Sequence, residues 1–164
     1  MITKTMITKT VSLSFVEIND FSQLCESEQL LVNAAIDAAK NAYAPYSNFN
    51  VGAAVLLENG VVVTGNNQEN AAFPSGLCAE RVTLFTAGAL HGNTAPRMMA
   101  IVAVKDGELT FQPVSPCGAC RQVFVEIEKR YSQSFQLLLT GKEKIVKIER
   151  AGDLLPLTFN STEI

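Results

Sequence analysis

Histidine is scarce, tryptophan is absent and basic residues are not in excess, and these shortages narrow the functions open to the chain. The single histidine, His91, excludes sites that need two, such as the two-histidine helix of metalloproteases. The formal net charge of −3 offers no basic face for a nucleic-acid polymer. No apolar run approaches the ~20 residues of a membrane span. We therefore expect no nucleic-acid polymer and no membrane among the partners.

The first residues also lack the features of a secretory signal. Residues 1–10 are a tandem copy of Met-Ile-Thr-Lys-Thr, with few basic residues and no apolar core. We expect a cytoplasmic protein in which residues 1–20 form an N-terminal extension, disordered in part. Residues 21–164 are predicted to form a single domain, because this length suits one hydrophobic core and no linker or shift in composition divides it.

Helical and strand patterns alternate along the chain. Apolar residues three and four apart predict helices over residues 27–44, 78–90 and 118–130. Apolar runs rich in β-branched residues predict strands over residues 50–57, 61–65, 98–105, 135–140 and 144–149, the first two joined as a hairpin at Asn59-Gly60. Strands that alternate with helices imply an α/β fold in which the helices pack on a central mixed five-stranded sheet.

Two short segments hold three of the four cysteines: Cys78-Ala-Glu-Arg81 and Pro116-Cys-Gly-Ala-Cys-Arg121, each where a loop enters a predicted helix. A helix N-terminus carries about half a positive charge, which favours the thiolate, the form that binds zinc. Cys78, Cys117 and Cys120 can therefore converge on one metal and leave its fourth position open. Three protein ligands with an open position are typical of catalytic zinc.

Other interpretations of the cysteines stay open at this point. Cys117 and Cys120 alone fit a redox pair or half of a structural zinc site, whose fourth ligand Cys25 or His91 can formally supply. Cys25 has no ligand-like neighbour and fits better as a small buried side chain. His91, beside Gly92, fits better as a helix-capping or surface residue.

Charged residues beside the cysteines suggest further roles. Glu80, two residues after a candidate ligand, can reach a metal-activated water without ligating the metal and can exchange protons with it. Three thiolates weaken the Lewis acidity of zinc. Arg81 and Arg121 each follow a candidate ligand directly, and a hydrogen bond from either guanidinium to sulfur restores some of that acidity.

At these two segments the sequence resembles the cytidine deaminase family, in its short, three-cysteine, homotetrameric branch. The resemblance extends from about residue 42 to residue 159 and includes Tyr46-Ser-Asn-Phe-Asn-Val-Gly-Ala-Ala54, Gly65-Asn-Asn-Gln-Glu-Asn70 and Leu154-Leu-Pro156. It implies a three-layer α/β/α fold, one Zn²⁺ per subunit and hydrolytic deamination of cytidine and 2′-deoxycytidine in pyrimidine salvage. It also implies that Glu80 carries protons between water and substrate.

The resemblance further implies which residues bind the nucleoside. Phe49 packs against the pyrimidine, Asn67 and Glu69 bond the ribose 3′-hydroxyl, the Ala79 amide binds the base carbonyl and the Ser115 carbonyl accepts the amine. In the family's homotetramer, neighbouring subunits complete each site. The residues in the corresponding positions here are Ala71, Phe73 and Phe159.

Two departures from the family pattern concern substrate preference. Gln68 stands where the family commonly has Val, and Phe73 stands where many members have Tyr. The nearest rival activity is deamination of a nucleoside-like antibiotic such as blasticidin S, whose enzymes lack the Asn67-Gln-Glu-Asn70 stretch. A polymer-editing deaminase typically has a histidine ligand and a basic surface. A non-catalytic zinc module has no need of a carboxylate at Glu80.

Overall fold

The structure, a computed structural model, describes residues 6–160, which form three α-helices, three short 3₁₀ helices and seven strands. The helices are α1 at Glu26–Ala39, α2 at Ala79–Leu90 and α3 at Gly118–Tyr131. The strands are β1 Val16–Ile18, β2 Phe49–Leu57, β3 Val62–Asn66, β4 Pro96–Lys105, β5 Glu108–Leu109, β6 Gln136–Thr140 and β7 Ile145–Ile148. Within this range no helix combines the length and the apolar character that a bilayer crossing demands.

The strands form one mixed sheet in the order β1-β7-β6-β4-β2-β3, and β5 pairs with β4. Only β4 and β6 are parallel among the described pairs, and α3 lies between them in the chain. Parallel neighbours need such a crossover because a tight turn can join only antiparallel strands. The β2–β3 hairpin turns at Gly60, whose φ of +84° suits glycine.

The core has two parts, one on each face of the sheet. On one face, α2 and α3 contribute Leu84, Phe124 and Ile127, which pack against sheet residues that include Val55 and Met99. On the opposite face, α1 packs on the sheet through a second cluster, made of Leu24, Leu31, Val32, Ala35, Ala39, Ala54, Met98, Ala100, Val102, Leu138 and Ile145. The molecule is therefore the expected three-layer α/β/α structure, and a buried central strand such as β4 is apolar because helices cover both of its faces.

Seven strands replace the predicted five, although the fold class is the one expected. The five predicted strands are all present, and the additional ones, β1 and β5, are three and two residues long. Segments this short contain no period that a sequence pattern can reveal. β1 lies inside the predicted extension over residues 1–20 and pairs with β7 as an edge strand. Residues 1–5 of that extension lie outside the described residues.

Helix α1 ends at Ala39, five residues before the predicted end at Ala44. The backbone beyond it bonds to a distant loop: the Tyr43 amide donates to the Asn67 carbonyl at 3.0 Å, and the Glu69 amide donates to the Tyr43 carbonyl at 2.8 Å. These long-range bonds satisfy backbone groups that a longer helix would have paired internally.

Candidate metal centre and adjoining cavity

The N-termini of α2 and α3 bring the three candidate ligands together. Cys78 is the N-cap of α2 and Cys117 is the N-cap of α3, both with extended backbone, and Cys120 lies in the first turn of α3. The two helices pack on the same face of the sheet. Each thiol therefore lies where backbone amides and the helix dipole favour negative charge.

The sulfur positions fit a zinc ion. Cys78 Sγ lies 3.7 Å from Cys117 Sγ, and Cys117 Sγ lies 3.5 Å from Cys120 Sγ. All three sulfurs lie within 4.8 Å of one another. Tetrahedral zinc with bonds of about 2.3 Å separates its sulfur ligands by about 3.8 Å, so small adjustments suffice. The donor set is a Zn²⁺ site, and among residues 6–160 Cys25 and His91 are not part of the cluster.

Cys25 and His91 have structural positions elsewhere. Cys25 is the N-cap of α1, where its amide donates to the Glu28 carboxylate at 2.9 Å, and it is exposed rather than buried as the sequence suggested. His91 is the C-cap of α2, and its amide donates to the Ala87 carbonyl at 2.8 Å. The structure therefore does not support the interpretation that Cys25 or His91 is the fourth ligand of a structural zinc site.

The thiols differ in their affinity for protons. A hydrogen bond from Cys120, assisted by Arg81, lowers the pKa of Cys78 to about 5, so Cys78 is a thiolate at neutral pH. The same hydrogen bond, together with burial, raises the pKa of Cys120. Because zinc binds thiolates, metal binding must displace the Cys120 proton.

Glu80 lies in the first turn of α2 and is only 4% exposed. Burial raises its pKa above the ordinary value, and the negative charge of Cys78 raises it further. A carboxyl group in this environment can hold a proton closer to neutral pH than a surface glutamate can. That property suits a group that takes up and returns a proton during a reaction.

The two arginines occupy different environments. Arg81 Nη2 lies 3.7 Å from Cys78 Sγ and 3.5 Å from the Gly76 carbonyl oxygen, in agreement with the predicted contact to a thiolate. Arg121 instead donates to the backbone carbonyls of Pro116 at 2.8 Å and Leu154 at 3.2 Å. Arg121 therefore ties the loop before Cys117 to the C-terminal segment.

A cavity of about 540 Å³ adjoins the thiol cluster. It is lined by many of the residues that the sequence singled out, namely Phe49, Asn67, Glu69, Phe73, Cys78, Glu80, Arg81, Ser115 and Cys117. Ligand pockets usually measure about 300–1,000 Å³, so the space suits a small molecule.

Asn67 fastens the cavity wall to the start of β2, and Glu69 fastens it to the loop before β2. Asn67 Nδ2 donates to the Phe49 carbonyl at 3.0 Å, and Asn67 Oδ1 accepts from the Val51 amide at 2.7 Å. Glu69 Oε2 accepts from the Tyr46 amide at 2.9 Å and the Ser47 amide at 3.3 Å. Each side chain keeps hydrogen-bonding capacity beyond these contacts, because a carboxylate has about four acceptor positions and an amide nitrogen two hydrogens.

Several predicted residues lie at or outside the edge of the cavity. Ala71 and Phe159 are exposed and do not line it, and Ala79 is buried at the start of α2. Phe73 lines the cavity yet is 75% exposed, with its ring edge-on to Tyr46 at a centroid distance of 5.9 Å.

The sequence did not single out other lining residues, among them Ser47, Val51, Leu77, Ile101 and Val114. Strand alternation offers a signal for one of them, because Val51 lies two residues from Phe49 and so shares its face of β2. Gln68 also lines the cavity, and its amide nitrogen bonds the Asn66 side chain.

Comparisons with known proteins agree with this geometry. The family model described as "Cytidine and deoxycytidylate deaminase zinc-binding region" matches residues 25–133. A cytidine deaminase of Halalkalibacterium halodurans is 38% identical over 136 residues, which cover 83% of this chain and 96% of that protein. One from Mycobacterium tuberculosis is 39% identical over 135 residues, covering 82% and 91% of the two chains.

The crystal structure of cytidine deaminase from Burkholderia pseudomallei superposes with a TM-score of 0.67 at 40% identity, covering 83% of this chain and all of that one. The similarity thus extends over both zinc-binding segments and nearly the whole length of the relatives. The chain belongs to the cytidine and deoxycytidylate deaminase family.

Proposed function

We propose that the chain is an enzyme that hydrolyses cytidine and 2′-deoxycytidine to uridine and 2′-deoxyuridine with release of ammonia. The observation that carries this proposal is the three-thiol zinc site beside the buried Glu80 carboxyl, in one cavity of nucleoside size. Relatives named cytidine deaminase, similar over four-fifths of the chain, support the same activity.

Cys78, Cys117 and Cys120 hold the metal in this proposal. When bound, zinc supplies a Lewis acid that activates water for attack at neutral pH. Glu80 would take one proton from the attacking water and deliver it to N3 of the cytosine, and would then take the second proton from the new C4 hydroxyl and deliver it to the leaving amine. Its raised pKa suits both steps, because the carboxyl must accept and release a proton in each turnover.

The cavity wall recognises the two halves of the nucleoside. Phe49 packs on the pyrimidine, the Ala79 amide binds its carbonyl oxygen and the Ser115 carbonyl accepts from its amine. The ribose 3′-hydroxyl donates to Glu69 and accepts from Asn67, the direction that their remaining hydrogen-bonding capacity allows.

Exposed residues at the cavity rim and beyond it suit contacts between subunits. Phe73 and Phe159 are 75% and 63% exposed, and burial of these large apolar side chains in a subunit contact would be favourable. We place Ala71, Phe73 and Phe159 in the sites of neighbouring subunits of a homotetramer. The enzyme would act in pyrimidine salvage in the cytoplasm, with residues 21–164 as the deaminase domain and residues 1–20, from which β1 joins the sheet, as an extension without a role in catalysis.

A deamination assay on zinc-loaded protein tests this function. Cytidine, deoxycytidine and blasticidin S are followed by their ultraviolet absorbance, with Glu80→Gln as the comparison. We expect the nucleosides to be turned over and kcat to fall by at least about a hundredfold in Glu80→Gln, since proton transfer contributes about 10²–10⁴ to such rates. Turnover of blasticidin S alone, or full activity of Glu80→Gln, contradicts the proposal.

A further inference from the structure

The Ser47 hydroxyl joins two parts of the cavity that the preceding assignment treats separately. It donates to Glu69 Oε1 and accepts from the Phe49 backbone amide at 3.1 Å. One hydroxyl group can make both bonds, because it has one hydrogen and two acceptor lone pairs. Ser47 also lines the cavity itself. A single oxygen atom therefore contacts a residue on the ribose side and a residue on the base side.

On the ribose side, Ser47 determines how the Glu69 carboxylate is oriented. The amides of Tyr46 and Ser47 both bond Oε2, whereas the Ser47 hydroxyl bonds Oε1. Without that hydroxyl, the described contacts hold one carboxylate oxygen only. The bond from the Ser47 hydroxyl is also the largest of the effects that lower the pKa of Glu69, so the carboxylate stays charged and acts as an acceptor.

On the base side, the Phe49 backbone is fastened at both of its polar groups. Its amide donates to Ser47 Oγ, and its carbonyl accepts from Asn67 Nδ2 at 3.0 Å. Because Asn67 and Glu69 are the residues proposed to bond the ribose, both sugar-binding side chains are linked to the backbone that carries the aromatic ring. The side-chain hydrogen bonds that link Glu69 to the Phe49 amide pass through the Ser47 hydroxyl.

We propose that the Ser47 hydroxyl is a positioning group that couples ribose recognition by Glu69 to base packing by Phe49, and so determines selectivity for the 3′-hydroxyl. This inference rests on the function proposed above. A site built to bond a hydroxyl rejects an analogue lacking it because polar groups held in place for that hydroxyl are then left unpaired. Without the Ser47 hydroxyl, the Glu69 carboxylate can rotate toward solvent. The difference in kcat/KM between substrates with and without the 3′-hydroxyl then decreases.

The test compares Ser47→Ala with Ser47→Thr on 2′-deoxycytidine and 2′,3′-dideoxycytidine, which differ only in the 3′-hydroxyl. Ser27→Ala is the matched control, because it removes an exposed hydroxyl from α1, on the opposite face of the sheet. For Ser47→Ala we expect kcat/KM to fall about tenfold on deoxycytidine, mainly through KM, and about two- to threefold on the dideoxy analogue. Ser47→Thr restores both values, and Ser27→Ala matches the parent.

A merely structural role for Ser47 predicts a different pattern. In that case Ser47→Ala lowers the zinc content or the melting temperature, and it reduces kcat/KM for both nucleosides by the same factor. An unchanged ratio between the two substrates therefore overturns the inference while leaving the proposed function intact. A parent enzyme that deaminates neither nucleoside overturns the proposed function, and the inference with it.

A double-mutant cycle supplies an independent readout. In a Glu69→Ala background, Ser47→Ala should no longer change the ratio of kcat/KM for the two substrates, because the carboxylate that Ser47 orients is gone. The smaller effect on the dideoxy analogue, which acts through Phe49, should persist. Full additivity of the two substitutions on the substrate ratio rules out coupling through Glu69.

Discussion

Gly65→Ala should loosen the zinc site without touching a ligand. Gly65 lies on β3, directly beneath α2. A Cβ built at this position lies 2.6 Å from Thr83 Oγ1, 2.8 Å from the Thr83 nitrogen and 3.1 Å from its Cα. Ordinary contacts are about 3.5–4.0 Å, so α2 must move by about 0.5–1 Å. Thr83 cannot simply rotate away, because its hydroxyl is buried and donates to the Ala79 carbonyl at 2.8 Å.

Gly65→Ala should lower both the unfolding free energy and the affinity for zinc. Overpacking of this kind costs about 2–3 kcal/mol of unfolding free energy, which lowers the melting temperature by roughly 4–12 °C in a domain of this size. Cys78 and Glu80 lie at the start of the displaced helix, and a site tolerates errors of only about 0.5 Å. We therefore expect zinc affinity to fall about tenfold or more.

Thermal unfolding followed by circular dichroism and zinc competition with a chromophoric chelator measure the two effects. Gly88→Ala is the matched control on α2 itself, since its nearest neighbour is the flexible end of Arg130 at 3.4 Å. It should gain about 0.5–1 kcal/mol from helix propensity and keep parental zinc affinity. If Gly65→Ala has the same stability and zinc affinity as the parent, the close contact between β3 and α2 does not position the zinc ligands.

Two further predictions concern charged groups. Burial acts to raise the pKa of Glu28, but bonds from Lys147 at 2.8 Å and from the Cys25 amide outweigh it, and the net pKa is lowered. The ionised Glu28 carboxylate therefore stabilises the folded protein fully at pH values above the pKa that Glu28 has in the unfolded chain. That stabilisation is lost as the pH falls through the lower pKa that Glu28 has in the folded protein. Glu28→Gln should cost about 1–2 kcal/mol at pH 7 and much less near pH 3, by urea unfolding. Arg81→Gln should weaken zinc retention about tenfold in chelator competition, because the Arg81 guanidinium contacts Cys78. Arg121→Gln, whose guanidinium bonds backbone carbonyls instead, should mainly lower the melting temperature. Equal zinc retention in Arg81→Gln and the parent would contradict a role for the contact between Arg81 and Cys78.

Long elements were predictable because their patterns repeat. The helix predicted over residues 118–130 is α3, Gly118–Tyr131, and the strand predicted over residues 98–105 lies within β4, Pro96–Lys105. Both contain enough apolar positions for a period to be evident. The two-residue strand β5 does not, and the end of α1 at Ala39 depends on backbone bonds to residues 67–69.

In the candidate site, too, some features were predictable from short sequence segments and others depended on contacts between distant residues. The zinc ligands were evident because cysteines beside helix starts have a specific chemistry that short sequence segments preserve. The contact of Ser47 with Glu69 joins residues 22 positions apart, and Ser47 by itself is an unremarkable loop serine. Even a correct list of binding residues could not show that Asn67 and Glu69 hold the backbone on either side of Phe49.

The sequence by itself determined the ligand chemistry, the helix starts that favour thiolates and the hairpin at Gly60, since each depends on neighbouring residues. Only the tertiary structure brought Cys78 to within 3.7 Å of Cys117, which lies 39 residues away. It did so because α2 and α3 cover the same face of one sheet and begin side by side. The same packing buries Glu80 and raises its pKa, an effect of desolvation that no local pattern encodes.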